Sequence, residues 1–121
     1  VIVAGFGLRA EATLASVQMA LEACTPLRPD VFASVEDKAT HPALAAFAAA
    51  TGHLIRPVPL TEIRSQAPQT LSPHQPSRYG TGSVAEAAAL AIAGAEARLL
   101  VRKTVSGDGL VTIAIAEGNG T

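Results

Sequence analysis

A chain of 121 residues is long enough for one domain around one core, and residues 1–121 are read as such a unit. Nine basic residues against ten acidic ones leave a net charge of −1, which excludes the broad basic face of a general nucleic-acid binder and makes any anion site local. The hydrophobic share is 49%, yet three Phe and one Tyr are the only aromatics while Ala fills 25 positions, so the core is expected from short side chains and closely approaching backbones. Cys24 stands alone, which rules out a disulfide framework and a cysteine-rich metal site. It reads as a small buried hydrophobe. His41, His53 and His74 lack metal-ligand spacing, so neither metal nor cofactor is expected. No apolar run reaches the roughly 18–20 residues of a membrane span, and the chain opens directly on a strand-like run, so a cytoplasmic protein without membrane association is expected.

Residues 1–4 are a short β-branched run ending at Gly5-Phe6-Gly7, the pattern of a buried strand that turns sharply. From Glu11 a helix follows, with Leu14, Val17, Ala20, Leu21 and Cys24 on its apolar side, stopping before Thr25-Pro26. Residues 31–35 form a second strand. Thr40 or His41 can cap the next helix, with Pro42 in its first turn where a missing N–H costs nothing, and Gly52 ends it. Residues 54–58 are a third strand, placed near a sheet edge by Pro57, and 61–66 suit a short helix. Residues 67–79 hold Pro68, Pro73 and Pro76 without periodicity and read as a mobile loop.

Residues 80–94 then join a glycine-rich turn to a helix almost wholly small and apolar. Ser83 is its N-cap, Glu86 completes the S-x-x-E pattern, and with Glu86 as its only charge the helix should be buried. Residues 98–103 and 110–116 are strands joined through Ser106-Gly107-Asp108-Gly109, a natural antiparallel hairpin, and 118–120 are a frayed tail. The order implies an α/β fold: a three-layer α/β/α sandwich with a mostly parallel mixed sheet and a C-terminal β-hairpin.

In open α/β sheets ligands bind beyond the carboxyl ends of the strands. Residues 5–9, 37–41 and 77–83 should arrive there. They bring glycine backbone (Gly5, Gly7, Gly80, Gly82), hydroxyls (Thr40, Thr81, Ser83), cations (Arg9, Lys38, Arg78) and the rings of Phe6 and Tyr79, with Lys103 joining from the fourth strand. That set suits a ligand rich in carboxylates or phosphates. Gly5 and Gly7 match only the first two glycines of a dinucleotide fingerprint, and no P-loop or nucleophile elbow occurs. Glu86 and His41 are the candidate acid–base groups.

Taken together, residues 3–13 (VAGFGLRAEAT), 33–44 (ASVEDKATHPAL), 80–90 (GTGSVAEAAAL) and 99–116 (LLVRKTVSGDGLVTIAIA) resemble the CobE and CbiG C-terminal domain family of cobalamin (vitamin B12) biosynthesis. The segments follow the family's order, with Leu8-Arg9 and Thr40 as local departures. The resemblance implies a three-layer α/β domain and a cytoplasmic role in corrin-ring synthesis. CbiG opens a ring-associated lactone of a cobalt-precorrin, and CobE belongs to the aerobic route. For this chain it implies a precorrin or corrinoid intermediate as partner, with other pathway enzymes as further partners. Three roles then stand open: a carrier or accessory binder, a small hydrolase acting on a precorrin lactone, and a non-catalytic module that stabilises another enzyme.

Overall fold

The sheet is built outward from its first strand. The computed structural model describes residues 1–65 and 83–120. Within them run β1 (Ile2–Leu8), α1 (Leu14–Glu22), β2 (Val31–Val35), α2 (Pro42–Thr51), β3 (Ile55–Val58), α3 (Leu60–Ser65), α4 (Val84–Ala93), β4 (Arg98–Val105) and β5 (Val111–Glu117). The five strands lie in the order β3-β2-β1-β5-β4. β1, β2 and β3 pair in parallel, while β5 runs antiparallel to both β1 and β4. The expected fold class is therefore the observed one, with Pro57 on an edge strand, where its missing N–H breaks no inner ladder.

Alternation along β1 sends its side chains into two cores. Ala4, Phe6 and Leu8 join Phe32, Ile113 and Ile115 beneath α1 and α2, whose Val17, Ala20, Leu44 and Phe47 close that layer. Phe6 sets its ring edge against Phe32 at 5.1 Å, and Ser34, buried among these groups, donates its hydroxyl to the Phe6 carbonyl at 2.8 Å. On the opposite face Val3, Ala33, Val35, Val58 and Ala116 meet α4, through Ala87, Ala88, Ala89, Leu90 and Ala93, with Ile63 of α3 beside them. Cys24 is buried as expected, and burial pushes its thiol pKa up.

Several boundaries differ from the sequence reading. The expected turn at Gly5-Phe6-Gly7 is instead the second half of β1, paired with β5 as far as Leu8 opposite Val111. Gly5 marks a close approach: a Cβ built there would lie 2.1 Å from the Ala85 carbonyl oxygen and 2.8 Å from the Ala89 nitrogen. A strand glycine can thus record a helix seated on it as readily as a bend. α1 starts at Leu14, because Thr13 is its N-cap and trades hydrogen bonds with Ser16 in a capping box. Residues 118–120 are not frayed: Gly118 donates to the Val1 carbonyl and Gly120 to that of Ala93. The expected loop at 67–79 lies outside the described residues.

Candidate functional site

A cleft of about 630 Å³ opens where the carboxyl ends of β1, β2 and β4 meet the start of β5. Its lining comes from Gly7 to Glu11 after β1, Val35 and Lys38 after β2, Val84 at the head of α4, Val105, and Gly109, Leu110 and Thr112 around the β4–β5 turn. β1 has its parallel partner β2 on one side and antiparallel β5 on the other, and the cleft lies beyond the carboxyl ends of the parallel strands. That is where open α/β sheets bind ligands.

The walls are held by hydrogen bonds within tight turns and by two that tie distant segments together. Arg9 N–H donates to the Leu110 carbonyl at 3.0 Å and Ala12 N–H to the Arg9 carbonyl at 3.0 Å. Lys38 follows a tight turn in which its own N–H donates to the Val35 carbonyl at 2.9 Å. The β4–β5 turn is organised by Asp108, whose carboxylate accepts from Ser106 Oγ and Ser16 Oγ, each at 2.6 Å, and from Leu110 N–H at 3.1 Å. Those donors, Ser106 first, then Ser16 and Leu110, hold its carboxyl pKa below the ordinary value. The Ser16 bond straps the turn to α1 across 92 positions of sequence.

The lining is polar and apolar in about equal parts: Val84, Val105 and Leu110 offer apolar surface over the buried Leu8 and Val35, with Arg9 and Lys38 set against the single carboxylate of Glu11. Among the described residues, neither Arg9 nor Lys38 enters an ion pair; the salt bridge described is Arg98 with Glu117, elsewhere on the sheet. Apolar walls with a few convergent charges are what a small-molecule site needs. Among the described residues no cluster suits a metal ion, and no helix is long and apolar enough to cross a membrane.

Of the site residues expected from sequence, Gly7, Arg9 and Lys38 are brought together in the cleft. Ser83 stands next to the lining residue Val84 and caps α4 by accepting the Glu86 N–H at 3.2 Å. Arg78, Gly80, Thr81 and Gly82, with Tyr79, lie outside the described residues. Three expectations are corrected. Gly5 cannot admit a ligand, because α4 backbone fills the space beside it. Phe6 is 0% exposed, in the core on the other face of β1. Lys103 lies within β4 and does not line the cleft; its backbone N–H donates to Glu86 Oε2 at 3.0 Å. Thr40 is exposed outside the lining.

The two acid–base candidates are also engaged elsewhere. Glu86 is 0% exposed, its carboxylate turned to β4. His41 caps α2, its Nδ1 accepting from Ala43 N–H at 3.1 Å, while Nε2 lies 3.0 Å from the Arg9 carbonyl. Sequence reasoning missed Val105, Gly109, Leu110 and Thr112. Only the insertion of β5 beside β1 carries that hairpin to the cleft, and strand order has no local signature.

Fold and cleft together define a three-layer α/β/α domain with a cation-bearing crevice at the carboxyl ends of its strands. A family model described as Cobalamin synthesis G C-terminus matches residues 2–116, and the chain belongs to that family. Among solved structures, cobalamin biosynthesis protein chiG from Agrobacterium tumefaciens strain C58 is 35% identical, with a TM-score of 0.77 over 98% of this chain and 99% of that one. CobE, a protein from the cobalamin biosynthetic pathway, is 28% identical, with a TM-score of 0.80 over 96% and 92% of the two chains. A cobalamin biosynthesis protein G homolog from Sulfolobus solfataricus shares the fold at 21% identity and a TM-score of 0.71, this chain spanning 36% of its length. No match was found among curated protein sequences. The chain is thus a protein of the cobalamin biosynthesis pathway.

Proposed function

We propose that the cleft binds a precorrin or corrinoid intermediate by its rim, as a carrier or accessory factor of the pathway. The observation that carries this reading is the placing of Arg9 and Lys38 beside the apolar side chains of Val84, Val105 and Leu110 at the carboxyl ends of the strands. Corrin precursors bear acetate and propionate arms on a broad apolar ring. An arm meets a guanidinium or ammonium while the ring edge lies along Val84, Val105 and Leu110. The volume, about 630 Å³, is that of a site for one drug-sized body, so it takes one side of such a macrocycle and leaves the rest to solvent or to another pathway enzyme.

Binding is favoured over lactone hydrolysis by the engagement of both acid–base candidates outside the cleft lining. The test uses the purified protein with cobyrinic acid, whose arms are free carboxylates, and with cobinamide, whose arms are amides. Visible spectra and co-elution on gel filtration are the readouts. Cobyrinic acid is expected to co-elute and cobinamide to bind more weakly. Arg9→Gln and Lys38→Gln should each lower the affinity about tenfold, with a steep loss in added salt. Absence of any pigment in the protein peak would sink the proposal.

A further inference from the structure

His41 connects the head of α2 to the loop that presents Arg9, and we infer that it is a positioning residue that aims Arg9 into the cleft through one fixed imidazole tautomer. The tautomer follows from the partners. Ala43 N–H can only donate, so Nδ1, 3.1 Å away, presents its lone pair. The ring proton therefore sits on Nε2, which faces two acceptors, the Arg9 carbonyl at 3.0 Å and the Ala10 carbonyl at 3.2 Å. One N–H shared by consecutive carbonyls fixes the two peptide planes that flank Ala10.

From its carboxyl side that segment is held by the Ala12 N–H on the Arg9 carbonyl at 3.0 Å and by the His41 ring. Arg9, Ala10 and Glu11 are exposed, and the next buried side chain is Ala12. From the amino side Arg9 is held by its own N–H on Leu110. His41 thus adds a third point, the one that ties the turn to α2 and also holds the Ala10 carbonyl, and so sets the direction in which the Arg9 side chain leaves the backbone. α2 in turn holds the ring, because the same imidazole satisfies an N–H of the first turn that would otherwise lack a partner. A cation held before its ligand arrives loses less freedom on binding. The consequence for affinity rests on the ligand reading proposed above, whereas the clamp itself does not.

The variants are His41→Asn, Arg9→Gln and the double variant. Asn keeps an oxygen for the Ala43 N–H but is too short to reach the Arg9 and Ala10 carbonyls, so it separates cap from clamp. His41→Asn is expected to melt within about 3 °C of wild type while amide hydrogen exchange at Arg9 and Ala12, the two hydrogen-bonded amides of the segment, speeds up about tenfold. Cobyrinic acid affinity should fall about threefold to tenfold, the range one hydrogen bond supplies. In the Arg9→Gln background the same change should cost nothing further, since His41 acts through Arg9. Exchange at Arg9 and Ala12 that matches wild type overturns the clamp. A loss of affinity that adds fully to that of Arg9→Gln overturns the aiming of Arg9. Should wild type fail to retain cobyrinic acid, the ligand reading falls, and the exchange measurement still decides the clamp.

Discussion

Gly5 and Gly7 lie two residues apart on β1, face the same way, and should respond oppositely to one added methyl group. At Gly5 the new Cβ would stand 2.1 Å from the Ala85 oxygen, 2.8 Å from the Ala89 nitrogen and 3.0 Å from the Ala89 Cβ. Two of these neighbours are backbone, so relief requires α4 itself to move by about 1 Å or more from a sheet on which nearly every one of its residues is buried. Overpacking of this kind costs about 1–3 kcal/mol and exceeds that where backbone is displaced. Replacing a strand glycine returns about 0.5–1 kcal/mol of chain entropy, which leaves a net loss of about 2–3 kcal/mol. For a domain of this size that lowers the melting temperature by about 6–15 °C. At Gly7 the added Cβ would meet only the Thr112 Cβ, at an ordinary 3.8 Å. Gly7→Ala should therefore melt within about 2 °C of wild type while intruding on the cleft it lines. Calorimetry of the two variants checks this. A Gly5→Ala protein as stable as wild type would refute the close seating of α4.

Ser83→Ala removes the acceptor for the Glu86 N–H at a buried helix start and should cost about 1–2 kcal/mol, read as a lowered urea midpoint at unchanged slope. Glu86→Ala leaves the Lys103 N–H without its carboxylate and opens a hole in the α4 layer, so a loss of about 2–4 kcal/mol is expected, with faster amide exchange at Lys103. Asp108 governs part of the acid limb. Its folded-state pKa lies below the ordinary 3.8, so the folded form binds fewer protons than the unfolded one between the two values. The stability this supplies is fully present above about pH 4 and is lost as the pH falls through the folded value. Asp108→Asn should flatten urea midpoints measured from pH 5 down to pH 2, and an unchanged acid limb would contradict the carboxylate's role.

The order of strands and helices, the buried alanine helix with its serine cap and the edge position of Pro57 were all legible, because each rests on local chemistry: period, caps and breakers. Arg9 and Lys38 were legible as cleft cations because residues after parallel strands share one end of a sheet. Gly5 and Phe6 were misplaced for one reason: G-x-G reads as a turn, and only the seating of α4 shows that it is a strand with one glycine beneath a helix and a phenylalanine beneath the other layer. Lys103 was misplaced because the strand runs two residues past it to Val105. Val105, Leu110 and Thr112 were invisible because nothing local in a hairpin states which strand it will join.

The strap between Ser16 and Asp108, and the bond from Arg9 to Leu110, have a consequence for how the protein comes into being. Both join segments about a hundred positions apart, so the crevice has no early, local precursor. During synthesis the β1–α2 half can form secondary structure while the hairpin is still unmade, yet at that stage one wall does not exist. Occupancy of the crevice is then possible only for the completed fold. A ligand that binds there draws on the whole folding equilibrium, and it protects every layer of the molecule rather than one loop.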